Sequence, residues 1–91
     1  MPVEFIDDDR GYVGWVAANP SGYVINILRS RNPASSRTHR ATCRTINGQP
    51  TNGKTWTGDY IKVCGHALDD LDAWAREHAG EAIKRCGTCS P

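Results

Sequence analysis

The sequence predicts a small α+β domain: a short antiparallel sheet with two helices, stapled at one end. Three observations carry that prediction. "GYVINILR" is rich in β-branched and aromatic residues, and "YIKVC" alternates apolar with polar, as strands do. Two other segments repeat their apolar residues at helical spacing. Four cysteines occur in a chain of 91 residues, a length that buries a modest core and commonly needs a metal or a disulfide to hold it.

Residues 1–8 carry Glu4, Asp7 and Asp8 and read as a flexible acidic N-terminus. Residues 9–18, "DRGYVGWVAA", place Tyr12, Trp15 and Val16 on one helical face, with Asp9 as the N-cap. Gly11 and Gly14 weaken a helix, and a β-hairpin turning at "NPSG" is the competing reading. The lack of strict alternation over 12–18 favours the helix, which Pro20 and Gly22 then stop. Residues 22–29 form the first strand, and "SRNPASSR" (30–37) is a polar loop. "RTHRATCRTI" (37–46) reads as a knuckle, and "NGQPTNGKTWTGD" (47–59) as a mobile loop.

"YIKVC" (60–64) is the second strand. Residues 67–79 give the strongest helix, with Leu68, Leu71, Trp74 or Ala75, and His78 on one face. Asp69, Asp70 and Asp72 lie in its first half, where the helix dipole favours anions, and Asp72 with Arg76 is a correctly ordered i,i+4 pair. Gly80 is the expected stop. "EAIKR" (81–85) reads as a short strand leading into "CGTC". With no internal repeat and no sign of a second domain, residues 1–91 are expected to form a single domain.

The net charge of +1 hides a block pattern. Residues 10–58 contain seven basic and no acidic residues, flanked by acidic stretches on both sides. So one-sided a block suggests a polyanion such as DNA as partner, because Lys and Arg displace counterions from phosphates. The alternative is that folding interleaves the block with the acidic flanks. No run is apolar enough to cross a membrane, and "MPVEFIDDDR" does not resemble a signal peptide, so an intracellular, cytoplasmic setting is expected. In that setting cysteines serve as metal ligands more often than as disulfides.

Cys86 and Cys89 form C-x-x-C, the spacing that presents two thiolates to one tetrahedral zinc. A redox pair would instead open a helix, whereas only Ser90 and Pro91 follow here. Cys43 is the natural third ligand. The fourth is His39, Cys64 or His66: His39 makes H-x3-C with Cys43, Cys64 ends an apolar strand, and His66 precedes a helix. His78 is expected to pack against the core. No Ser–His–Asp set or carboxylate pair stands out, and Asp7, Asp8 and Asp9 read as a solvated run.

Taken together, Trp15 and Val16, "SGYVINILR", "THRATC", "KVCGHALDDLDAWA" and "CGTC" resemble the zinc-binding N-terminal domain of Ada-type DNA-repair proteins, over about residues 12–90. The resemblance implies that His39, Cys43, Cys86 and Cys89 bind Zn2+ and that the arginine-rich knuckle faces DNA. It also sets a departure: His39 stands where that family keeps the cysteine that accepts a methyl group from a phosphotriester. A metal-bound imidazole has committed its lone pair, so methyl transfer is not expected.

The function expected from these features is that of a non-enzymatic, zinc-stabilised DNA-binding module. It would serve as a recognition domain for a nuclease or for modified DNA. Arg37, Arg40 and Arg44 would contact phosphates, Arg29, Arg31 and Lys54 would extend the track, and Trp56 would stack on a base or else cover the core. The alternative is a zinc-stapled protein-interaction module, such as an accessory protein of a phage or a defence system.

Overall fold

A computed structural model describes residues 2–46 and 55–91. Its elements run β1 (Val3–Phe5), α1 (Asp9–Ala18), β2 (Tyr23–Leu28), a single 3-10 turn (Pro33–Ser35), β3 (Arg37–Arg40), β4 (Tyr60–Gly65) and α2 (Leu68–His78). The sheet is antiparallel throughout, with strand order β1-β4-β2-β3. This is the predicted α+β class.

Alternation along the strands sorts side chains onto two faces. Ile25 and Ile27 of β2, with Ile61 and Val63 of β4, meet Leu71, Trp74 and Ala75 of α2 and Ile83 beyond it. Val24 and Cys64 point the other way, and there they meet Tyr12 and Val16 of α1 together with Ala41, Cys43, Ile46 and Cys86. The sheet therefore lies between the two helices, with a separate core on each face.

In helix α1, a β-carbon at Gly11 would clash with the Asp8 carboxylate, so that glycine makes room for the cap, whereas a β-carbon at Gly14 would meet nothing within 4 Å. That cap is Asp8, not Asp9: the Asp8 side chain accepts the Gly11 amide at 2.9 Å. Asp9 instead holds the segment after the undescribed loop. It accepts the amides of Trp56 (2.8 Å) and Thr57 (2.9 Å) and the Thr57 hydroxyl (2.6 Å). Burial works against the Asp9 carboxylate, but these hydrogen bonds and the Lys62 charge prevail and hold its pKa below the ordinary value. At the far end of α1, Gly22 is required. A β-carbon there would sit 2.6 Å from the Trp15 ring and 3.1 Å from the Gly65 carbonyl.

Several expectations are corrected. Val3–Phe5 is no flexible tail: it pairs with β4 as Val3–Cys64, Glu4–Val63 and Phe5–Lys62. The first half of the expected knuckle is strand β3, and only 41–46 turns. "EAIKR" contributes one parallel bridge, Arg85 to Thr38, rather than a strand. Asp72 pairs not with Arg76 but with Arg85, whose Nη1 and Nη2 each donate to one carboxylate oxygen at 2.9 Å. Gly80 does end α2, in the left-handed region at φ +88°. Most of the expected 47–59 loop, residues 47–54, lies outside the described residues.

Candidate metal centre

His39, Cys43, Cys86 and Cys89 converge at one end of the sheet, with one ligand atom from each lying within 4.8 Å of every other. Strand β3 supplies His39, and register explains its direction. Val24 pairs with both His39 and Cys64, and Cys64 pairs with Val3, so Val3, Cys64, Val24 and His39 form one row across the α1 face. The chain then turns through 41–46, with the Cys43 amide donating to the Arg40 carbonyl and the Ile46 amide to the Cys43 carbonyl. The Tyr12 hydroxyl donates to the Ile46 carbonyl at 2.5 Å and seats this turn on α1. Cys43 thereby reaches the same pocket of space as His39.

The second half arrives along the outer edge of β3. The Thr38 amide donates to the Lys84 carbonyl at 2.8 Å and the Cys86 amide to the Thr38 carbonyl at 2.9 Å. Beyond Cys86 the chain closes a turn, with the Ser90 amide on the Cys86 carbonyl at 3.0 Å. Amides point at the sulfurs: Thr88 N–H at Cys86 Sγ and Arg40 N–H at Cys89 Sγ, each at 3.3 Å.

The group fits a metal ion by its chemistry as well as its spacing. Tetrahedral zinc–sulfur bonds of about 2.3 Å place ligand atoms roughly 3.8 Å apart, inside the observed limit. Burial first, then the Lys62 and Arg37 charges, push the His39 pKa down to about 4, so its imidazole is neutral and keeps a lone pair to donate. Burial opposes ionisation of Cys86, but the amides of Cys89 and Thr88 outweigh it and bring the thiol down to about 7. Burial raises Cys89 to about 11, against the Arg40 amide and with the neighbouring Cys43 and Cys86 thiols. One thiolate is therefore ready near neutrality, and a bound cation would draw the remaining protons off. The Thr45 hydroxyl, 3.0 Å from Cys43 Sγ and 3.4 Å from His39 Nδ1, supports both ligands. Nothing in the spacing pointed to Thr45, which shows its role only through the turn.

The rival ligands lie elsewhere. Cys64 is fully buried two strands from His39, roughly 10 Å at the usual strand spacing. Burial pushes its thiol up to about 12, the behaviour of a small core hydrophobe. His66 is exposed and lies against Trp15, ring centroids 5.5 Å apart and the planes tilted by 46°. His78 rests on Trp74, ring centroids 5.0 Å apart, with its outer side exposed.

The basic block divides. Arg29 pairs with Asp7 at 2.6 Å and also donates to the Gly58 carbonyl, and Arg31 pairs with Glu4 at 3.0 Å. Both are tied to the acidic N-terminal segment, which is the interleaving alternative at work. Arg40 folds onto the end of the chain, Nε to the Cys89 carbonyl and Nη2 to the Ser90 carbonyl. Arg37 donates only to the adjacent Ser36 carbonyl, and Arg44 is exposed without a hydrogen bond or ion pair among the described residues. Trp56 is half-buried against the α1-side core, edge-on to Tyr12 at 6.2 Å, with the Lys62 ammonium donating to its carbonyl. That is the covering role rather than the open one. Lys54 lies outside the described residues.

Among the described residues no helix is long and apolar enough to cross a membrane. Compared with family models, curated proteins and solved structures, the chain matches none.

Proposed function

We propose that the chain is a zinc-stabilised DNA-binding module without catalytic activity. The observation that carries the metal half of this reading is the convergence of His39, Cys43, Cys86 and Cys89. Three thiolates and an imidazole are a soft ligand set suited to zinc. Four protein ligands complete a tetrahedron and leave no position for a reactive water, which is the arrangement of a structural site. His39 at the first ligand position keeps methyl transfer out of the proposal, so the Ada-type resemblance bears on architecture and binding alone.

The DNA half rests on Arg37 and Arg44, which flank the two ligands His39 and Cys43. The metal would fix the 41–46 turn that carries Arg44 against β3, which carries Arg37, and so hold the two guanidinium groups in a set relation for a phosphate backbone. The salt bridges of Arg29 and Arg31 favour a smaller interface than the sequence implies, and they are the observation that keeps a protein-interaction module as the second reading.

The test is a titration of zinc-loaded protein with several duplexes at low salt, followed by amide resonances. Shifts confined to residues 37–44 are expected, with a binding slope against log salt of about −2 for two phosphate contacts. No shift with any duplex would remove the DNA reading and leave the protein-interaction one.

A further inference from the structure

Arg40 lies between the two ligands of the first half of the centre, yet its amide and its guanidinium both reach the second half. We infer that Arg40 is a positioning residue of the metal centre: its guanidinium grips the carbonyls of Cys89 and Ser90 and locks the "CGTC" turn against β3. The inference rests on the metal reading proposed above and assigns to it a residue that the sequence alone sends to DNA.

The geometry begins with the pleat of β3. Along a strand, successive backbone N–H groups point to opposite edges. Thr38 turns its N–H and C=O outward, where they bond Lys84 and Cys86. Arg40, two residues on, also turns its amide outward and donates it to Cys89 Sγ at 3.3 Å. The incoming chain is therefore held to the strand edge just before Cys86 and again at Cys89.

The backbone bond from the Ser90 amide to the Cys86 carbonyl closes the turn on itself. The Arg40 side chain fastens that turn to β3, with Nε 3.0 Å from the Cys89 carbonyl and Nη2 3.1 Å from the Ser90 carbonyl. Ser90 sits in the left-handed region at φ +47°, a conformation a non-glycine residue keeps when its surroundings hold it there. The guanidinium suits the task because its donors are fixed in one plane and meet two acceptors at once. A lysine ammonium is a point charge on a flexible stem. Ligand-orienting contacts of this kind commonly change metal affinity by about 10- to 100-fold.

The experiment measures zinc transfer from loaded protein to a chromogenic chelator, with the Co2+-substituted thiolate absorption as a second readout. Wild type, Arg40→Met, Arg40→Lys and Arg76→Met, an exposed charge on α2, are compared. Arg40→Met is expected to release zinc at least about tenfold faster and to weaken or shift the Co2+ band. Arg40→Lys should fall between it and wild type, and Arg76→Met should match wild type. Equal release by wild type and Arg40→Met would overturn the inference. So would equally fast release by Arg76→Met, which would make the effect one of general charge. A wild type that takes up neither ion would fail at the loading step, overturning the metal reading itself and this inference with it.

Discussion

The two faces of one sheet are held together by different physics. On the α2 face, Ile25, Ile27, Ile61, Val63, Leu71, Trp74, Ala75 and Ile83 make an apolar core that depends on nothing but burial. On the α1 face, the core residues Cys43, Cys64 and Cys86 lie with Tyr12, Val16, Val24, Ala41 and Ile46, and the buried His39 beside them is polar. Helix α1 is short, interrupted by two glycines and packed mainly through Tyr12 and Val16. The difference shows where a metal staple would act. One face is self-sufficient, and the other has its core divided between segments far apart in sequence that a single ion would join.

The largest expected effect breaks the α1 face alone. Removing metal by chelation, or replacing Cys43 or Cys86 with Ser, should strip protection from amides of α1, the 41–46 turn and residues 84–90. Structural zinc is worth on the order of 10 kcal/mol of apparent binding energy in small domains, so this loss should exceed any single core substitution. Hydrogen exchange with and without chelator checks it, and α2 with its facing strands should be the slower half to exchange.

The converse substitution is Leu71→Ala, which opens a cavity on the α2 face. It should cost about 2–5 kcal/mol in denaturant unfolding while leaving one zinc per chain. A third variant, Cys64→Ser, places a hydroxyl at a fully buried position among Tyr12, Val16 and Val24. A cost of about 1–3 kcal/mol with zinc retained would separate a core cysteine from a ligand.

Acid should act on the seam between α1 and the 55–58 segment. The folded pKa of Asp9 is lowered, so its contribution is present above its ordinary value near 3.8 and is lost as pH falls through the folded value. In Asp9→Asn the unfolding profile should flatten over that window, as read by acid titration of stability. The smallest effect is expected for Asp72→Asn, which breaks a partly exposed pair with Arg85 and should cost at most about 1 kcal/mol.

Much of this division is written locally. The Leu71, Trp74 and Ala75 spacing makes α2 legible, and "YVINIL" makes β2 so. The ligand spacings H-x3-C and C-x-x-C are legible too, because the two ligands of each half are close in sequence. What the sequence does not carry is how distant pieces meet. Val3–Phe5 becomes a strand only because β4 offers it an edge, and three residues are too few to show alternation. "EAIKR" has strand-like residues, but only Arg85 bridges β3 as the chain passes its edge. The destinations of Arg29, Arg31 and Arg40 depend on partners 22, 27 and 49 residues away, so a block of positive charge in sequence becomes three separate clasps in space.

The central claim is the ligand set, and zinc stoichiometry by native mass spectrometry tests it most directly, on wild type, His39→Ala and Cys64→Ser. The expected result is one zinc in wild type, none or a weakly held ion in His39→Ala, and one in Cys64→Ser. Zinc kept by His39→Ala and lost by Cys64→Ser would contradict it, moving the metal into the core row and freeing β3 from its role in the staple.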